Sequence, residues 1–141
     1  MYCKFLDKPA VPLHLILPLS EILLIENMFG GESKDYTIHD CQHDLKEYLK
    51  PMFFDYTNFN YQVLNNGVPI HIDIGRNRAI NYIIDPGGNN VSTRWYRSES
   101  SDDSDILFDI VLPANKWHEL KVDEPHNVIG VETTRYAITV Y

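Results

Sequence analysis

Val68-Pro69-Ile70-His71-Ile72-Asp73-Ile74 is the stretch from which the rest of the chain is read. Valine or isoleucine takes every second position, and Pro69, His71 and Asp73 fill the places between. A period of two marks a β-strand, because successive side chains leave a strand on opposite faces. One face is therefore apolar and the other carries an imidazole and a carboxylate. His71 and Asp73 point the same way, close enough to share a ligand. Ile72, on the other face, is expected to pack against N-terminal helices.

Working outward, the same period continues. A strand is expected over Arg78–Asp85, then a turn at Pro86-Gly87-Gly88-Asn89-Asn90, then a strand over residues 91–96. Residues 97–105, rich in serine and aspartate, read as an exposed loop and a candidate lid. Residues 106–112, the region 117–122 and residues 134–141 supply further strands. Many short strands divided by turn signals predict a sandwich or barrel.

The N-terminal part reads differently. Residues 13–17 form an apolar run closed by Pro18, expected as a strand. Ser20 is a candidate cap for a helix over residues 21–29, ended by Gly30-Gly31. A second helix is expected over residues 39–50, stopped by Pro51. The broad apolar faces of both suit packing on a sheet.

The chain has 141 residues and a formal net charge of −8. Its length fits one domain over residues 1–141. No basic patch is visible, so neither a nucleic-acid partner nor an anionic membrane is expected. No secretory leader or membrane span is read, and the two cysteines, Cys3 and Cys41, are expected as free thiols. The expected location is the cytoplasm.

His71, Asp73, His126 and Arg135 hold the chemistry. Taken singly, each is weak: an H-x-D triplet arises by chance, His126 beside Pro125 reads as an exposed turn residue, and Arg135 as a solvated strand residue. Together they form an ordered set. Two histidines and a carboxylate are the ligands of a non-haem Fe(II) centre with open positions. An arginine beyond the last histidine can grip a carboxylate through two parallel hydrogen bonds.

The H-x-D, the later His126 and Arg135 resemble the 2-oxoglutarate/Fe(II)-dependent oxygenase family, in its small, phage-like members. The stretches Arg78–Asp85, Gly87-Gly88, Thr93-Arg94-Trp95-Tyr96 and Trp117-His118-Glu119-Leu120 add to it. The resemblance implies a mainly β fold: a double-stranded β-helix, or jelly-roll, core with N-terminal helices packed on one sheet. It implies Fe(II) on His71, Asp73 and His126, and 2-oxoglutarate held by its distal carboxylate on Arg135. It implies a dioxygenase, most simply a hydroxylase, that uses O2 and couples decarboxylation of 2-oxoglutarate to oxidation of a further substrate. The family pattern often places a hydroxyl two residues after the arginine. Ala137 stands there, leaving Tyr82, Asn81 or Thr139 as substitutes, with Tyr82 taken as the second cofactor-binding residue. The chain stops soon after Arg135, so a substrate carried on a partner protein is expected.

Two alternatives belong beside this reading. One is a non-catalytic jelly-roll binding or structural module. The other is a cupin-type metalloenzyme that does not use 2-oxoglutarate, although cupins typically offer H-x-H where this strand has H-x-D. Among lesser features, His39 and His43 would share a helix face as a zinc pair, and exposed helix histidines are the plainer expectation. Trp117 is expected in the core. Asp102, Asp103 and Asp105 lack the glycine and final glutamate of a calcium loop.

Overall fold

The computed structural model describes residues 1–28 and 35–141, and of Asp103 only the backbone. The strands are β1 (Cys3–Phe5), β2 (Tyr36–Asp40), β3 (Phe59–Leu64), β4 (Val68–His71), β5 (Arg78–Asp85), β6 (Ser92–Tyr96), β7 (Ile106–Val111), β8 (Trp117–Lys121), β9 (His126–Ile129) and β10 (Arg135–Val140). The helices are α1 (Leu19–Ile22) and α2 (His43–Leu49), with 3-10 turns at Leu13–Leu15 and Asp103–Asp105.

The strands form a sheet in the order β1-β8-β5-β10-β3-β2 and a second in the order β4-β9-β6-β7. The pairings are nested: β3 with β10, β4 with β9, β5 with β8 and β6 with β7, all antiparallel. A long hairpin folded over on itself gives this nesting. It is the strand order of a jelly-roll, a fold that closes a β-layer without leaving its core face open.

Strand parity divides the six-stranded sheet into two faces. Ile80 and Tyr82 of β5, Ile138 and Val140 of β10, and Tyr61 and Val63 of β3 join Ile22, Leu45, Leu49 and Phe53 in one buried cluster. Ala79 and Ile83 of β5 and Ala137 of β10 take the opposite face, with Trp95 of β6 and Leu120 of β8, in a second cluster drawn from both sheets. Each fully buried leucine of the first cluster contributes about 1.5–3 kcal/mol. Trp117 belongs to it and donates from its indole nitrogen to the Pro9 carbonyl at 3.1 Å.

Several N-terminal expectations are corrected. Residues 13–17 hold a 3-10 turn, not a strand. The expected helix over residues 21–29 shrinks to Leu19–Ile22, with Ser20 inside it and Pro18 at the cap. Leu23 and Met28, both on the expected apolar face, are 49% and 52% exposed, so the run does not present one buried face. The chain turns back instead: Asn27 bridges His39, and the Met28 N–H donates to the Ile38 carbonyl at 2.7 Å. Phe29 and the Gly30-Gly31 stop lie outside the described residues.

The second helix begins at His43, because His39 and Asp40 belong to β2. His39 pairs with Tyr61 of β3, and its ring meets the Ile25 carbonyl and the Thr37 hydroxyl. Sheet pairing outweighs local helical spacing here. His39 and His43 therefore share no helix face, and the zinc pair falls away.

The decisive strand is shorter than its periodicity: β4 ends at His71, and Asp73 lies just beyond. Ile72 is 36% exposed and Ile74 98% exposed, so neither packs against the helices. No described helix is long and apolar enough to cross a membrane. Both cysteines are free, Cys41 buried and Cys3 partly so.

Candidate metal centre

His71 and His126 are cross-strand partners at the β4–β9 pairing, with ring centroids 4.3 Å apart. A register shift in β4 between Val68 and His71 sets that match. Such irregularities re-aim side chains at the ends of paired strands. Asp73 follows just past the strand, pinned by its own N–H, which donates to the Val122 carbonyl at 2.9 Å. One ligand atom from each of His71, Asp73 and His126 lies within 4.8 Å of the others. His126, read from sequence alone as an exposed turn residue, is 6% exposed and opens β9.

The remaining polar atoms of these side chains are already engaged. His71 Nδ1 sits 2.8 Å from the Pro69 carbonyl and His126 Nδ1 2.7 Å from the Glu124 carbonyl. A carbonyl only accepts, so each Nδ1 carries a proton, and each Nε2 is turned to the centre, where it either meets Asp73 as a donor or offers its lone pair to an ion. Asp73 Oδ2 accepts from Arg76 Nε at 3.0 Å and Nη2 at 2.8 Å. Asp73 Oδ1 is left 3.2 Å from His71 Nε2 and 3.5 Å from His126 Nε2. Two nitrogens and one oxygen thus converge while their other ends are held. The set fits a divalent ion of the iron or zinc type better than calcium or magnesium, which want oxygen throughout.

The electrostatics agree. Burial works to raise the Asp73 carboxyl, but hydrogen bonds from His126, His71 and Arg76 overcome it and hold the group well below the usual carboxylate range. The Asp73 hydrogen bond raises His71 above its ordinary value. A metal ion binding here would displace the proton that His71 shares with Asp73.

Behind the three residues lies a narrow inner cavity of about 70 Å³, reached also by Arg76, Asn81, Thr93 and Arg135. Arg135 is 6% exposed, and among the described residues no carboxylate is paired with it. Burial lowers its guanidinium to about 10. Gly87, at φ 81°, lets the β5–β6 turn lie against the Arg135 backbone, where an added Cβ would come within 2.8 Å of its nitrogen. Asn81 Oδ1, Thr93 Oγ1 and Arg76 Nη1 are buried without hydrogen-bond partners. A cavity lined by a buried cation and orphaned polar atoms is built for a polar guest.

Tyr82 does not reach this cavity. It sits in the first core cluster against Trp117, and its hydroxyl accepts from the Val11 N–H at 3.1 Å. Adjacent strand residues point to opposite faces, so Asn81 faces the cavity and Tyr82 cannot. Thr139 lines the wider basin outside it. Ala137 stays in the second core cluster.

Two residues near the site escaped the sequence reading. Arg76 follows Asp73 by one short turn, and an arginine so close to a candidate carboxylate ligand was the available signal. His118 is fully buried beside Arg135. Burial, then the Arg135 charge, lowers its imidazole to about 4. Its parity with Leu120 on β8 was the clue that it faces inward.

No family model matches the sequence, and no curated protein is similar to it. Solved structures similar to the chain include a cupin superfamily protein from Desulfitobacterium hafniense, at 13% identity and a TM-score of 0.41, with 93% of each chain covered. Another is an oxalate oxidase in complex with the substrate analogue glycolate, at 16% identity and a TM-score of 0.47, covering 99% of this chain and 72% of that one. Likenesses this distant carry no weight for function, and the fold rests on the nested strand order.

Proposed function

We propose that this protein is a metal-dependent oxygenase of the jelly-roll class, holding Fe(II) on His71, Asp73 and His126 and taking 2-oxoglutarate as co-substrate. The observation that carries the proposal is the convergence of two imidazole Nε2 atoms and one carboxylate oxygen within 4.8 Å, each fixed from behind. Three protein ligands on one side leave positions open for a chelating co-substrate and O2. When bound, the iron supplies the activation of O2, coupled to decarboxylation of the oxo-acid.

The chain's own part is binding, orientation and shielding. Arg76 fixes the Asp73 carboxylate so that Oδ1 faces the metal. Arg135 offers a buried planar cation to a carboxylate, worth far more in a dry cavity than in water. Asn81 and Thr93 supply the polar lining that Tyr82 does not. Leu120, Val122 and Val128 supply apolar lining beside these polar groups.

The size of the inner cavity favours a second reading. A cavity of about 150 Å³ holds benzene, and this one is about 70 Å³. A molecule of 2-oxoglutarate therefore has to extend into the outer basin or displace side chains. A metalloenzyme of the same fold that works without 2-oxoglutarate needs neither.

Anaerobic titration of the Fe(II)-loaded protein with 2-oxoglutarate separates the two. The first reading expects the weak visible charge-transfer band of an iron–oxo-acid chelate. That band is lost in Asp73→Ala and needs more 2-oxoglutarate in Arg135→Ala. Iron binding without a band moves the assignment to the second reading. Failure to bind iron leaves a non-catalytic module.

A further inference from the structure

The metal candidates sit at the junction of two spaces. His71, Asp73, Arg76, Tyr36 and Val68 line both the inner cavity and a wide outer basin of about 690 Å³. That volume lies in the range of small-molecule sites, roughly 300–1,000 Å³. The two spaces differ in chemistry. Arginine and orphaned polar atoms line the inner one. Tyr36, Val68, Pro69, Ile72, Ile74 and Tyr141 wall the outer one, with its charged groups confined to the metal end.

Two of these walls are exposed in a way that isolated surface residues seldom are. Ile72 and Ile74 flank a ligand residue, stand 36% and 98% exposed, and border one concave surface. Exposed apolar side chains gathered around a concavity mark a place that something else covers. Much of the charge at the metal end is already paired. Arg76 gives two N–H groups to Asp73 and lays its guanidinium 4.6 Å from the centre of the Tyr141 ring. Among the described residues, the charged side chains of the basin are His71, Asp73 and Arg76, all at the metal end, and Arg76 keeps its buried Nη1 without a hydrogen-bond partner.

We infer that the outer basin is the site of the oxidisable substrate, and that it takes an apolar group. The inference deepens the proposed function by naming the substrate class at the same centre. Ile72 and Ile74 are its specificity-determining residues. Their position beside His71 and Asp73 brings a C–H-rich group next to the metal end of the basin. The same chemistry can come from a free small molecule or from a side chain within a peptide.

The test follows the methyl signals of Ile72 and Ile74 by NMR in protein carrying labelled isoleucine. The probes are N-acetyl-leucinamide and N-acetyl-tryptophanamide, set against N-acetyl-aspartic acid amide and N-acetyl-lysinamide. The apolar probes are expected to give saturable shifts, with the charged probes weaker by about tenfold or more. Ile72→Ser and Ile74→Ser change exposed residues and leave the core intact, and each is expected to weaken the apolar probes by about tenfold. Short Gly/Ser peptides with a central Leu or Trp decide the source: tighter binding than the amides points to a protein-borne group, equal binding to a free molecule. Charged probes binding as well as apolar ones, no saturable shift from either apolar probe, or serine variants that bind unchanged would overturn the inference. The methyl readout needs neither iron nor 2-oxoglutarate, so its failure is separate from failure of the absorption band.

Discussion

Arg76 and Asp73 form a fork in which two guanidinium N–H groups meet a single carboxylate oxygen, Oδ2, at 3.0 and 2.8 Å. The other oxygen, Oδ1, is thereby turned toward the Nε2 atoms of His71 and His126. This is the arrangement expected of a residue that orients a metal ligand without touching the metal. Arg76→Ala should lower iron affinity by about 10- to 100-fold. Competition against a chromophoric chelator measures this. Arg76→Lys keeps the charge and loses the fork, so it should fall between. Unchanged affinity in Arg76→Ala would make the fork a surface ion pair with no bearing on the centre.

Arg135 presents a stability prediction of unusual sign. A buried cation with no acidic partner costs folding energy, and an apolar side chain of similar length removes the cost. Arg135→Met should stabilise the protein by about 1–3 kcal/mol in urea unfolding and raise the 2-oxoglutarate concentration needed for a response. A comparable loss of stability would instead show that the guanidinium completes the fold.

Tyr82 separates the core from the site. Removing its hydroxyl leaves the Val11 N–H, buried at 4% exposure, without its partner. Tyr82→Phe should therefore destabilise by about 1–3 kcal/mol and leave iron and 2-oxoglutarate binding where they were. A changed co-substrate affinity with unchanged stability would return Tyr82 to the site.

His118 sets a pH dependence. Its imidazole falls from an ordinary 6.5 to about 4 in the folded protein, by burial and then by the Arg135 charge. Between those values the unfolded chain binds a proton that the folded chain refuses. Stability from this residue is thus complete above pH 6.5 and is lost as pH falls toward 4. The slope is about 1.4 kcal/mol per pH unit at most, and the total roughly 3 kcal/mol. His71 acts with the opposite sign, its raised value giving stability at low pH that is lost as pH rises through it. The clean measurement is therefore the difference between the native sequence and His118→Leu, each unfolded in urea at pH 7 and pH 5. Parallel pH profiles would rule His118 out as the cause.

The second half of the chain was readable because its strands alternate cleanly. The limits of β5 are those its periodicity gives, and His71 and Asp73 were paired by spacing alone. β9 was missed, since Pro125 beside His126 reads as a turn until Trp95 of β6 pairs with it. In the N-terminal part, helical spacing around His39 misled because β3 supplies a partner strand far along the chain. Such pairing has no local signature.

The sequence by itself determined which residue types could do chemistry and that His71 and Arg135 ride on strands: side-chain type and a period of two are local properties. Tertiary structure alone decided that His126 faces His71 across β4 and β9, that Asn81 turns to the cavity where Tyr82 turns to the core, and that Arg76 holds Asp73. The reason is physical. Which face of a strand meets the interior depends on register with strands distant in sequence, and a register is fixed only when the hairpin has rolled up and buried its core.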